Sequence, residues 1–287
     1  MIKEFCKPKR VSETLQLLGK WKGKAKLVAG GTNVVPDLRA KAFARAALID
    51  LSRLKPLSYI REEKKNIRVG ALTTISEIAS SKVIQKYSPI LAEAARQIGN
   101  PLVRNRATIA GNLADASPAA DSAVPLLVLE ANIVVERHKG KAKQIPIGQF
   151  FLGPRKTVLK RDELIREIVF PKPDLFARMA YSKFGLRNSM AISVVSVGVL
   201  ALVEKEKCSK VRIALGAVAP TPRRARGVEI LLVGQAVTEE LIDRCCEAIQ
   251  DEIQPITDVR ATAEYRRSMA SVLLKRLLQQ IFSQGHV

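Results

Sequence analysis

The spacing of apolar positions divides the chain into two stretches with different grammar. Leu15, Leu18 and Trp21 recur at near-helical intervals behind Ser12, which predicts a helix capped by that serine. Residues 26–28 then read as a short strand running into Ala29-Gly30-Gly31-Thr32-Asn33. Further strands are predicted at 48–51 and 66–70, and a helix from Thr74. A longer helix follows Pro89, with Leu91, Ala94, Ala95 and Ile98 on one face, and Gly99-Asn100-Pro101 stops it. A second glycine-bearing turn, Thr108-Ile109-Ala110-Gly111-Asn112, precedes a buried helix over 123–129. Strands at 133–135, 144–147 and 163–170 complete this stretch, and Pro171-Lys172-Pro173 marks its end.

Beyond that boundary, 180–184, 191–203 and 211–218 are strand-like and separated by polar turns, which predicts a three-stranded antiparallel meander. Helical patterns follow at 227–233, 239–249 and 261–282. The expectation is an α+β protein of two domains, residues 1–173 and 174–287. The longest apolar run, 190–203, is shorter than the roughly 20 residues of a bilayer span, and Ser193 and Ser196 interrupt it. It reads as a buried strand, and no membrane span is expected. The N-terminal residues carry charges with no apolar segment behind them, so neither a signal peptide nor export is expected, and the location reads as cytoplasmic.

Composition narrows the function classes. Of 287 residues 47% are apolar, enough for a substantial core. Lys and Arg number 48 against 27 Asp and Glu, a net charge of +21. Such an excess attracts anionic partners or phosphate-bearing ligands. No unbroken block of five or six like charges appears, and aromatics are only 5%, so platforms for stacking nucleic-acid bases are few and no nucleic-acid partner is expected. The four cysteines, Cys6, Cys208, Cys245 and Cys246, form no C-x-x-C, and the only histidines are His138 and His286. No metal site or iron–sulfur cluster follows from these spacings, so redox chemistry would come from a bound organic cofactor. The two glycine turns match neither G-x-G-x-x-G nor the P-loop pattern. Each reads either as a plain turn or as a cradle of backbone N–H groups for an anion, with Thr32, Asn33, Thr108 and Asn112 adding side-chain hydrogen bonds.

Longer blocks carry a resemblance. LVAGGTNVVPDLRAK (Leu27 to Lys41) and NPLVRNRATIAGNLADASPAADSAVPLLVLEA (Asn100 to Ala131) resemble the two FAD-binding loops of the flavoprotein, or medium, subunits of molybdenum hydroxylases, the family of xanthine and carbon monoxide dehydrogenases. FFLGPRKTVLKRDELIREIVFP (Phe150 to Pro171) is similar to the segment closing that flavin domain. ALGAVAPTPRRAR (Ala214 to Arg226) and PITDVRATAEYRRSMASVLLKRLL (Pro255 to Leu278) resemble its C-terminal domain. The likeness runs nearly end to end. It implies a two-part FAD-binding domain of the PCMH type followed by a smaller α+β domain, a three-stranded antiparallel sheet with a helical bundle.

The resemblance also implies roles. Ala29, Gly30, Gly31, Thr32 and Asn33 would wrap the FAD pyrophosphate from one side; Thr108, Gly111 and Asn112 would reach it from the other, with Ser117 nearby. Asp121 would accept hydrogen bonds from cofactor hydroxyls, Ile165 would pack on the isoalloxazine face, and Lys183, supported by Arg187, would approach the ring's polar edge. No catalytic residue and no metal ligand is implied. Two positions depart from the common pattern: Ala110 stands where many relatives have glycine and must tolerate that backbone angle, and Asn33 stands where Asp or Ser is frequent. The chain also lacks a cysteine-bearing insert found in one branch, so it would carry no cluster of its own. The implied activity is electron transfer from [2Fe–2S] clusters of a small subunit to FAD and on to an acceptor, NAD⁺ being expected. A molybdopterin-binding large subunit would complete a heterotrimer. A stand-alone FAD oxidoreductase acting on a small substrate, or a basic binding protein without flavin, remain the alternatives.

Overall fold

The computed structural model describes residues 2–40 and 46–282; Lys41, the last residue of the first family-like block, and His286 lie outside them. Among the described residues three larger sheets follow one another, with a two-stranded hairpin as a fourth. The first is parallel, in the order β1 (Glu4–Cys6), β3 (Ala47–Asp50), β2 (Ala25–Val28), with α1 (Val11–Trp21) and α2 (Val34–Arg39) in its crossovers. Ser12 is not the cap of α1: that position falls to Arg10, which makes no side-chain capping bond, and Ser12 lies inside the helix. Leu15 and Leu18 turn inward onto Ile49, Leu51, Leu54 and Leu57, a small core of their own.

The second sheet is antiparallel, in the order β4 (Ile60–Glu62), β5 (Asn66–Gly70), β10 (Glu163–Pro171), β6 (Asn132–Arg137), β7 (Lys143–Pro146). Helices α3 (Ile75–Ser80), α4 (Lys82–Tyr87), α5 (Pro89–Arg96), α6 (Pro101–Arg104), α7 (Ile109–Asp115) and α8 (Ala123–Val128) come between β5 and β6. They bury the largest core, with Phe150 and Phe170 inside it. A hairpin of β8 (Phe151–Gly153) and β9 (Lys156–Thr157) leads back into β10.

The third sheet runs β11 (Arg178–Phe184), β12 (Val195–Glu204), β13 (Lys207–Gly216), β14 (Arg223–Arg224), followed by α9 (Arg226–Leu232), α10 (Glu239–Asp251) and α11 (Ala263–Phe282). The expected meander of three strands thus gains a fourth, two residues long, paired to Ala214 and Leu215. The apolar run predicted as strand from 191 begins its ladder only at Val195, and Ile192 is exposed. The run's lack of alternation has a simple cause, because both faces of β12 are covered. Val195, Val197, Val199 and Ala201 pack with the C-terminal helices, while Leu200 joins the core of the preceding part. Gly198 and Gly216 face α8 so closely that a Cβ at either would come within 3.0 and 2.9 Å of Val124 methyls.

Candidate cofactor site

A cavity of about 470 Å³ opens where the first sheet meets the second. That size falls in the ordinary range of small-molecule sites, roughly 300–1,000 Å³. Three chain segments wall it. The first is Lys26 to Val34, which leaves β2 and enters α2; the second is Ala107 to Asp115 around α7; the third is Leu159 to Ile165, entering β10. Ala29, Gly30, Gly31, Thr32, Asn33, Thr108, Gly111, Asn112 and Ile165 all line it.

The two loops differ in what they offer. Among the described residues, the amides of Gly30, Gly31, Thr32, Asn33 and Val34 donate to no protein acceptor. Five successive N–H groups without partners beside a cavity form a cradle for anionic oxygens. Gly31 sits at φ 77°, open to glycine and strained for other residues. Gly30 is required by proximity, since a Cβ there would fall 1.8 Å from the Arg106 carbonyl oxygen. The second loop is already satisfied. Its amides donate to Thr73, Ala71 and Thr108 oxygens, and the Thr108 hydroxyl caps α7 by accepting from the Gly111 amide at 3.1 Å. Ala110 is an ordinary helical residue of α7, so the strain expected there is absent. The Asn112 side-chain Oδ1 accepts from the Ser122 hydroxyl at 2.5 Å.

Lys26, Lys160 and Arg161 add cationic side chains to the lining. Glu163, also in the wall, is paired with Lys143 at 2.7 Å and accepts from the Lys160 amide at 2.8 Å. Ile165 is buried, as are Ala71, Ile98 and Leu164, and with half-buried Leu72 these give the lining its apolar part. Lys160 and Arg161 were missed in the sequence. The one local hint was Gly23, whose missing Cβ leaves room for the Arg161 side chain, with Cδ 2.2 Å from where that Cβ would stand.

Ser117, Asp121 and Lys183 lie outside this lining. The Ser117 hydroxyl accepts from the Ala119 amide. Asp121 and Lys183 are brought together, but with each other: their buried ion pair measures 2.6 Å. Tyr181 donates to the same carboxylate at 3.1 Å and Ser193 donates as well, while Lys183 also donates to the Gln97 carbonyl at 3.2 Å. Burial, and then the Asp121 charge, push the Tyr181 hydroxyl well above its ordinary range. Arg187 does not reach Lys183; it closes its own loop on the Met190 carbonyl. None of the cysteines lines the cavity, and burial pushes the Cys208 and Cys245 thiols up to about 11, away from reactivity.

Residues 2–173 match the family described as FAD binding domain in molybdopterin dehydrogenase, and residues 180–281 match the CO dehydrogenase flavoprotein C-terminal domain. The chain belongs to the FAD-binding medium subunits of the molybdenum hydroxylases. It is 34% identical over 281 residues to the carbon monoxide dehydrogenase medium chain of Hydrogenophaga pseudoflava, covering 98% of this chain and 97% of that one. It is 30% identical to the nicotinate dehydrogenase FAD-subunit of Eubacterium barkeri, covering 98% and 96%. A solved structure of the Hydrogenophaga carbon monoxide dehydrogenase, in a form lacking the Mo-pyranopterin moiety of its cofactor, superposes with a TM-score of 0.95 over 99% of this chain and 98% of that one. For a FAD-binding subunit the cavity's chemistry fits: unpartnered amides and three cations suit a diphosphate, and the apolar Ile165 side suits a flat aromatic ring. Among the described residues, no helix is long and apolar enough to cross a membrane.

Proposed function

We propose that this chain is the FAD-carrying electron-transfer subunit of a molybdenum hydroxylase complex, with NAD⁺ as the terminal acceptor. Its partners in this reading are a molybdopterin-binding large subunit and a small subunit bearing [2Fe–2S] clusters. Residues 1–173 would hold the cofactor and 174–287 would form the second domain. FAD, when bound, supplies the interchange between one-electron and two-electron transfer. The observation that carries the reading is the row of unpartnered amides from Gly30 to Val34 facing a second, helix-capped loop across one cavity.

The chain's own residues then have distinct tasks. The amides from Gly30 to Val34, with Thr32 and Asn33, would hold the diphosphate; Thr108 and Gly111 would fix the opposite wall, and Asn112 would donate from its free amide end. Ile165 would shield a ring face from water. Asp121 and Lys183 would act at one remove, because Lys183, held by Asp121, donates to the Gln97 carbonyl and so fixes Ile98 in the cavity wall. Direct oxidation of a substrate by this chain alone is disfavoured by the lining. Its one buried carboxylate, Glu163, is held by Lys143 and is not poised as a base.

The test is spectroscopic. The purified full chain is expected to bring FAD with it or to take it up, and release on denaturation identifies the cofactor by mass. The complex, once reduced by its substrate, is then mixed with NAD⁺ or an artificial quinone. Reoxidation by NAD⁺ at a rate matching turnover supports the acceptor; reoxidation by the quinone alone excludes it. A chain with no flavin and no uptake overturns the reading.

A further inference from the structure

Arg155 stands at the tip of the β8–β9 hairpin, outside the set of residues that line the cavity. Its backbone is left-handed, φ 56°, a region that favours Gly or Asn and disfavours a residue with a long side chain. A glycine would be the unstrained choice at such a tip, so the side chain itself needs a reason. The geometry supplies one. The guanidinium donates to Asp37 of α2 at 2.8 Å and lies 4.0 Å from Asp115 at the end of α7. The Arg155 amide meanwhile donates to the Ala116 carbonyl at 2.9 Å. Asp37 follows the first cavity loop, Asp115 ends the helix of the second, and the hairpin leads directly into the third wall, Leu159 to Ile165. One side chain therefore ties all three walls together across 118 residues of sequence.

We propose that Arg155 is a positioning residue, a clamp that sets the spacing of the two dinucleotide-binding loops and thereby the affinity for FAD. The proposal rests on the reading of the cavity as the FAD site. An unclamped chain must draw α2 and α7 to the right separation when the cofactor binds, and that ordering weakens affinity. In the clamped chain the separation exists beforehand. Because the guanidinium is largely exposed, the coupling is electrostatic and salt-sensitive rather than large.

The experiment uses the full chain, stripped of flavin, with FAD as the probe and flavin fluorescence as the readout, beside a thermal midpoint for each apo-protein. Arg155→Asn keeps the left-handed backbone and removes the charge. It is expected to weaken FAD binding about fivefold at low salt with the midpoint unchanged. Arg155→Lys is expected to recover part of the loss. Asp37→Ala should weaken binding comparably, and the double variant Arg155→Asn with Asp37→Ala should be no worse than either single one, as expected of two halves of one link. Wild-type affinity in Arg155→Asn, losses that simply add, or a loss that follows a lowered midpoint would each overturn the clamp while FAD binding by the wild type stands. A wild type that takes up no FAD would overturn the cavity assignment and the clamp together.

Discussion

At the scale of single residues, the site depends on side chains that are missing as much as on those present. Gly30 touches the chain that forms the opposite loop, and a methyl group there would sit 1.8 Å from the Arg106 carbonyl oxygen. Neither partner is the flexible end of a side chain, so the two loops must separate. Gly30→Ala is therefore expected to cost FAD affinity at least about tenfold and stability about 1–3 kcal/mol, through overpacking. Gly111→Ala is the matched control, because its Cβ would meet only the Thr108 hydroxyl, at 2.9 Å. Its loss should be smaller, and flavin titration of both variants checks the order. Asn33 and Asn112 give the complementary test: replacing both with Ala leaves the backbone cradle in place, and a several-fold loss of FAD affinity is expected if their side chains reach the diphosphate.

At the scale of elements, α11 is fixed at its start by a buried charge. Arg266 is 2% exposed and donates to the Val194 and Ala217 carbonyls and to Asp258 at 2.6, 3.0 and 2.9 Å. Burial pushes the Asp258 carboxyl upward, but hydrogen bonds from Arg260 and the charge of Arg266 outweigh it and hold that carboxyl far below the usual range. The folded-state value is depressed, so the stabilisation is present above the unfolded value near pH ~4 and is lost as pH falls below it. Asp258→Ala should abolish this acid-sensitive component and cost about 2–4 kcal/mol at neutral pH, since it leaves Arg266 buried with carbonyl partners only. Denaturant melts of both proteins from pH 3 to 7 give the comparison. Elements of this kind also show what the sequence could tell. The long helices and the inner strands were legible because their apolar periodicity persists over many residues. The three residues of β1 and the two of β14 carry no period, and their pairing to Ala47 and Leu215 is set by distant chain. The same holds within the site. The cavity loops were legible from composition and family likeness, but the Asp37–Arg155 link joins residues that share no local pattern.

At the scale of the molecule, the question is how the third sheet is held against the rest, because Ile98 of the cavity wall sits beside that junction. Glycines at 198 and 216 bring the sheet close to α8. Beside the apolar contact of Leu200 and Ala214 with α8 the junction also holds polar links: Asp121 binds Lys183, Tyr181 and Ser193, the Ala217 amide donates to the Pro118 carbonyl, and Arg212 donates to the Val128 carbonyl. Desolvating these groups is tolerable only while each keeps its partner. Asp121 is the one whose removal strands the most, leaving a buried ammonium and two hydroxyls without their acceptor. Asp121→Ala should therefore cost about 3–5 kcal/mol, far more than an exposed ion pair would. The loss should appear as a lowered midpoint of the cooperative transition, because Tyr181, Leu200 and Ala214 of the third sheet pack into the same core as α8 and tie the junction to it. Lys183→Met with Asp121→Leu is the contrasting variant: removing both charges together should restore the part of the stability lost to the stranded ammonium, while the Tyr181 and Ser193 hydroxyls still lack their acceptor. If cavity geometry depends on the Gln97 anchor, that double variant will melt above Asp121→Ala yet bind FAD less tightly than the wild type. Equal affinity would instead show that the junction holds the sheet and leaves the cavity to its own loops.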